Sequence, residues 1–283
     1  MKPHPTVLGI DSAWTAGQPS GVALVQQRGA RWRCVALAPS YLGFMERAAG
    51  TETDWSIRRF SGTEPDIPRL LEAARRLAGR PPDLVTLDMP IARTAFSGRR
   101  PADQAVSREF GGRGCAAHSP TAMRPGSLGA RISQALSAAG YELATTATRF
   151  PDSRKVLEVY PHPALLSLLR RSSRIRYKVA KSRKYWPTAT VSERIRNLLG
   201  EFAAIRDALG EVFEGLTLEL PDPERVETLS GLKRYEDALD ALVCAWVGAE
   251  YFAGRTVPLG DADAAVWCPA DVVCVGDQGR RIG

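Results

Sequence analysis

The sequence predicts an α/β domain, a mixed five-stranded sheet flanked by helices, with a mostly helical insertion ahead of the last helix. Three observations carry that expectation. Five short apolar runs have the length of strands, a segment with helical spacing separates the third from the fourth, and residues 234–252 read as a long helix that is apolar almost all round. At 283 residues and 44% hydrophobic, the chain can bury a sizeable core. One domain is expected over 1–270, with the insertion at about 165–230 and a flexible tail at 271–283.

The first three strands are read at 6–12, 21–27 and 32–38, with Gln27-Arg28-Gly29-Ala30 as a turn, which makes an antiparallel meander. Residues 66–77 place Ile67, Leu70, Leu71, Ala74 and Leu77 on one helical face, with Asp66 able to cap the start and Gly79 to end it. After Pro81-Pro82 comes a fourth strand, 84–88. A helix between two strands implies a crossover and parallel pairing, so this strand is expected beside the first. Helices over 102–110, 128–139 and 192–209, a fifth strand over 155–160 and the last helix complete the pattern, and the chain from Val257 onward reads as a tail.

No stretch approaches the ~18 to 20 uninterrupted apolar residues of a membrane span. The apolar run at Val7-Leu8-Gly9-Ile10 is too short, and wrongly flanked, for a secretory signal, so a cytoplasmic protein is expected. Five scattered cysteines without a Cys-x-x-Cys pair suggest reduced thiols rather than disulfides or a zinc site. The net charge of +7 and pI near 9.4 suit a polyanionic partner without requiring one.

Three predicted strands each carry a carboxylate in an apolar context: Ile10-Asp11-Ser12, Leu87-Asp88-Met89-Pro90 and Leu157-Glu158-Val159-Tyr160. In a strand buried on both faces, such a group is costly unless it is paired, protonated or bound to a metal. Asp237 and Asp240 lie three apart, and so share a face near the start of the last helix. Two buried acids on one face call for a cation, and Mg²⁺ or Mn²⁺ suits oxygen ligands. Any one of these acids alone reads first as a turn former or a helix cap. Their order, strand, strand, strand, helix, points to a shared site if the strands are parallel neighbours and the helix crosses their ends.

A basic stretch follows Glu158: Arg170, Arg171, Arg174, Arg176, Lys178, Lys181, Arg183 and Lys184, with Tyr177, Tyr185 and Trp186 among or beside them. Such a run either tracks a phosphate backbone, its aromatics stacking on bases, or is a solvated face. On the first reading Arg176, Lys178, Lys181 and Lys184 bind substrate. His162, between two prolines, is a proton carrier, a ligand or a turn residue. Gly111-Gly112-Arg113-Gly114 lacks the Lys-Ser/Thr of a P-loop and reads as a flexible loop, and no Gly-x-Ser-x-Gly elbow surrounds Ser12 or Ser119.

Gly9-Ile10-Asp11-Ser12-Ala13-Trp14, Leu87-Asp88-Met89-Pro90-Ile91, Glu158-Val159-Tyr160-Pro161-His162-Pro163 and the run from Asp237 to Ala245 resemble domain-of-unknown-function family 429. Asp103, Arg108 and Gly111 belong to the same resemblance, which extends to Trp267-Cys268-Pro269. That family is regarded as predicted nucleases with a ribonuclease-H-like fold. The resemblance implies that Asp11, Asp88, Asp237 and Asp240 are catalytic metal ligands, the Asp237-to-Asp240 turn being similar to the corresponding helix of Holliday-junction resolvases. Glu158 has no counterpart among the resolvase ligands and is implied as a further catalytic acid: a ligand, a proton acceptor or a group behind the ligands. The implied reaction is hydrolysis of phosphodiester bonds in DNA or RNA, with two Mg²⁺ or Mn²⁺ ions bridged by Asp11. Two rivals stand beside it. A phosphotransferase on the same fold would need a duplicated domain and Gly-rich phosphate loops, and a non-catalytic nucleic-acid-binding protein would be expected to have lost one or more of the acids.

Overall fold

The computed structural model describes residues 4–15, 17–56, 60–149, 152 and 154–273. Strands β1 (Thr6–Asp11), β2 (Gly21–Arg28) and β3 (Arg31–Ala38) form the expected antiparallel meander. Helices α1 (Tyr41–Ala48) and α2 (Ile67–Ala78) lead to β4 (Leu84–Leu87), which runs parallel to β1 with Ile10 opposite Leu87. Helices α3 (Pro101–Phe110) and α4 (Leu128–Ala138) precede a two-residue strand β5 (Glu142–Leu143) and then β6 (Lys155–Val159), which is parallel to β4. Then come α5 (Pro161–Leu168), α6 (Ser182–Tyr185), α7 (Val191–Val212), a two-residue strand β7 (Phe213–Glu214), and α8 (Lys233–Phe252). Strands β8 (Thr256–Gly260) and β9 (Ala265–Pro269) follow. The sheet order is β7-β3-β2-β1-β4-β6-β9-β8, with β5 also paired to β6.

All five expected strands are present, and β4 lies beside β1. The sheet nevertheless has nine strands among the described residues rather than five. Residues 257–269 are not a tail: β9 pairs with β6, and β8 with β9. Pro258 and Pro269 obscure these strands in the sequence, because proline cannot donate to a ladder. Pro258 is tolerated because β8 is the edge strand, and Pro269 is the last residue of β9. Two helices also escape the sequence pattern. Helix α1 is only eight residues long, capped by Ser40, whose side chain accepts from Gly43 N. Helix α5 begins at Pro161-His162-Pro163, and its first turn accommodates proline because those N–H groups have no intrahelical partner. The segment expected to be a flexible tail lies, beyond residue 273, outside the described residues.

Alternation along the central strands sends side chains to two cores. Leu8, Ile10, Val85, Leu87 and Val156 pack with Phe44, Leu70 and Ile132 from α1, α2 and α4. Val7, Ala23, Leu84, Leu157 and Val159 pack with Leu239 of α8 and Phe202 of α7. Each large apolar side chain so buried contributes roughly 1.5–3 kcal/mol. Helix α8 is buried at every residue over 235–249, as its all-round apolar sequence requires. It lies unusually close to the sheet. An added Cβ at Gly9 would stand 2.3 Å from the Ala241 carbonyl oxygen, and one at Gly21 would stand 2.0 Å from that of Asp237. Cys34, Cys115, Cys244 and Cys268 are buried free thiols. No helix among the described residues is long and apolar enough to cross a membrane.

Candidate active site

Parallel pairing of β1 and β4 brings two acids to the same end of the sheet. Asp11 is the last residue of β1, and Asp88, just past β4, donates its amide to the Ile10 carbonyl at 2.9 Å. Ile10 and Leu87 face the α1/α2/α4 core, so alternation turns Asp11 and Asp88 to the opposite face, toward α8. The glycine contacts at Gly9 and Gly21 seat α8 there, with Glu236, Asp237 and Asp240 on its first two turns. Asp11, Asp88, Glu236 and Asp237 line a cavity of about 1170 Å³.

Two lysines stand among these acids. Lys233, one turn earlier on α8, donates to Glu236 at 2.9 Å and to Asp237 Oδ1. Lys178 pairs with Glu236 at 3.4 Å and with Asp240 Oδ2. Tyr177 OH donates to Asp240 Oδ1 at 2.6 Å, and Val179 N donates to Glu236 Oε2 at 2.6 Å. Asp237 Oδ2 is buried without any hydrogen-bond partner.

Five carboxylates thus face two ammonium groups, and the imbalance is visible in their proton affinities. Burial, and then the Asp240 carboxylate, push Asp11 up to about 6, although Lys178 and Lys233 pull it down. Asp88 is raised well above the usual carboxylate range by burial and then by Asp11. Asp237 is also raised well above that range by burial, which Lys233 only partly opposes, and Asp240 is raised by burial against the pull of Lys178. Glu236 is the exception. Burial works against its charge, but Lys178, Lys233 and the Val179 amide outweigh it and hold the carboxyl below its usual range.

Glu158 does not join this cluster. Register places it opposite Leu87, and alternation places it on the face of Val156, away from Asp11 and Asp88. It borders the cavity, but its carboxylate is taken by Arg100, which also grips Asp103 at 2.7 Å, and all three side chains are buried. Asp240 is brought beside the other acids but does not line the cavity, and both of its oxygens are bonded. Of the basic residues expected to bind substrate, Lys178 and Lys181 line the cavity, whereas Arg176 and Lys184 are exposed outside it. His118, Arg124, Arg174, Lys233 and Arg234 are lining residues that the motif reading did not select for substrate. Lys181 is held below the usual lysine range by burial and then by Arg174, and His118 is lowered by burial and then by Lys181. His162 lies in the first turn of α5, edge-on to Tyr160 and Tyr177 at 5.3 Å. Burial and then the nearby Lys178 hold it well below the usual histidine range, with Arg174 donating to Nε2.

The donor set fits a hard divalent cation: oxygen-only, acidic, short of countercharge and carrying an orphaned buried oxygen on Asp237. It is not a closed cage, for among the described residues no three His, Cys, Asp or Glu side chains form a ready-made metal-binding group.

A family model described as a protein of unknown function (DUF429) matches residues 9–264. No curated protein and no solved structure matches the chain.

Proposed function

Because the chain belongs to the DUF429 family and its acids converge as that resemblance implies, we propose that it is a metal-dependent nuclease with a ribonuclease-H-like core. The fold part of this reading rests on the sub-sheet β3-β2-β1-β4-β6, in which β2 alone runs against its neighbours. Two of its acids come from the ends of β1 and β4, and the others from the helix laid across them. The observation that carries the chemistry is Asp237 Oδ2, buried and unpartnered in a cavity that Asp11 and Asp88 also line.

Asp11, Asp88 and Asp237 would hold Mg²⁺ or Mn²⁺, which supplies charge for a phosphate and lowers the pKa of water. The protein's own residues do the rest. Lys181, Arg174 and Arg124 put positive charge along the cavity, where it attracts a phosphodiester backbone of DNA or RNA. Lys178 and Lys233 oppose the effect of burial on Asp11 and hold the Glu236 carboxyl below its usual range, because each ammonium favours the ionised carboxylate beside it.

The test is calorimetric titration of Mg²⁺ and Mn²⁺ into wild type, Asp11→Asn and Asp237→Asn, with cleavage of a labelled DNA and RNA panel on the same samples. Metal uptake and cleavage by wild type alone is the expected result. Nucleic-acid binding without metal uptake would replace this reading with that of a binding protein.

A further inference from the structure

We infer that the site takes one divalent cation rather than two, and that Lys178, anchored by Asp240 and Tyr177, is its built-in second positive centre. This rests on the metal-dependent reading above and sharpens it.

The argument is an account of carboxylate oxygens. Asp240 is wholly buried, absent from the cavity lining, and spends Oδ1 on Tyr177 OH at 2.6 Å and Oδ2 on Lys178. Glu236 spends Oε2 on the Val179 amide at 2.6 Å and Oε1 on Lys233 at 2.9 Å, with Lys178 at 3.4 Å. Asp237 Oδ1 goes to Lys233. What remains open is Asp237 Oδ2, with the carboxylates of Asp11 and Asp88, to which no described residue donates. Three carboxylates with waters suffice for one Mg²⁺ or Mn²⁺. A second ion would have to strip Asp240 of a buried hydroxyl and an ammonium.

Three consecutive residues fix this arrangement. Tyr177, Lys178 and Val179 each bond to the first two turns of α8, the first two at Asp240 and the third at Glu236. Lys178 is therefore held by its ammonium at Asp240 while its side chain keeps 20% exposure and lines the cavity. An ammonium so placed meets negative charge developing on a phosphate oxygen with no reorganisation, which is the service a second metal ion gives elsewhere.

The experiment is Mn²⁺ titration of the full chain by calorimetry, with unbound Mn²⁺ counted by paramagnetic resonance. One ion per wild-type chain is expected, and two would overturn the inference. No binding at all would instead sink the metal-dependent reading from which it starts. Asp240→Asn should keep its single ion within about threefold in affinity, whereas Asp11→Asn should lose more than about tenfold. Equal loss in both variants, with thermal melts matching wild type, would overturn the assignment of Asp240 to Lys178. Lys178→Ala removes the cation beside Asp240 and Glu236, frees Oδ2 of Asp240 and should admit a second Mn²⁺ at millimolar metal. A count that stays at one would show that Lys178 does not occupy a cation position. The wild-type count stands by itself should either variant fail to fold.

Discussion

The guanidinium of Arg100 meets Glu158 through two hydrogen bonds of 2.6 Å, and the same two side chains take the carbonyl and the amide of Ile91 at 2.7 and 3.0 Å. Ile91 lies three residues after Asp88, so this buried pair fixes the chain that leaves β4. Removing one partner of a buried pair strands the other charge, at a cost of about 3–5 kcal/mol. Arg100→Ala, which takes the shared cation from both Glu158 and Asp103, is expected to lose that much stability in urea denaturation and also to weaken Mn²⁺ binding. A loss below about 1 kcal/mol would mean that the pair clamps nothing.

Asp11 gives a pH signature. Its pKa rises from the ordinary aspartate value of 3.8 to about 6 in the fold, so between those values the folded chain binds more protons than the unfolded one. Its contribution to stability therefore falls as pH rises through that window. In metal-free protein, Asp11→Asn should melt higher than wild type at pH 8, by on the order of 1–3 kcal/mol. The gain should fade toward pH 4, and saturating Mg²⁺ should reverse the order at pH 8 by stabilising wild type alone. Equal melting at every pH would contradict the burial of Asp11 and its crowding by Asp240 and Glu236.

The close seating of α8 can be tested with two glycines. Gly21→Ala drives a methyl to 2.0 Å from the Asp237 backbone oxygen and should cost upwards of about 1–3 kcal/mol while displacing the acids. Gly200, exposed in α7 with nothing within 4 Å of its added Cβ, is the control. There alanine should stabilise by roughly 0.5–1 kcal/mol, leaving metal affinity unchanged. Denaturation midpoints of the two variants moving in the same direction would refute the close packing.

For the cavity cations, binding to a single-stranded oligonucleotide should separate two groups. Lys181→Ala should weaken affinity and reduce the slope of log K against log salt by about one, while Arg176→Ala and Lys184→Ala should leave the slope nearly unchanged. The reverse pattern would place the nucleic acid on the outer face of the insertion.

What the sequence disclosed follows from where its signals are local. Strand alternation and helical spacing are local, so the meander, β4 beside β1, and the capped α2 were all legible. Asp237 and Asp240 could be put on one helical face for the same reason. Lys233 was also within reach, since it stands three and four residues before Glu236 and Asp237, the spacing at which helical side chains meet. Lys178 was legible only as part of a basic run, because its meeting with Asp240 spans 62 residues and an insertion. Glu158 looked like Asp11 and Asp88 because each is an acid in an apolar strand. The register that turns it to the other face appears only once β4 and β6 are paired. β8 and β9 were masked by proline, whose meaning depends on whether a strand is central or at the edge.

The enclosure of α8 also governs when its backbone amides can be reached from bulk water. Backbone amides over 235–249 belong to a helix covered by the sheet on one side and by α5 and α7 on the other, and helices so placed exchange hydrogen only when the whole domain opens. Exchange at Asp237 and Asp240 would then proceed at the rate of global unfolding, and a ligand that engages Asp237 would slow it across the entire helix. For this protein, site occupancy and the lifetime of the folded state would be read from the same set of amide signals.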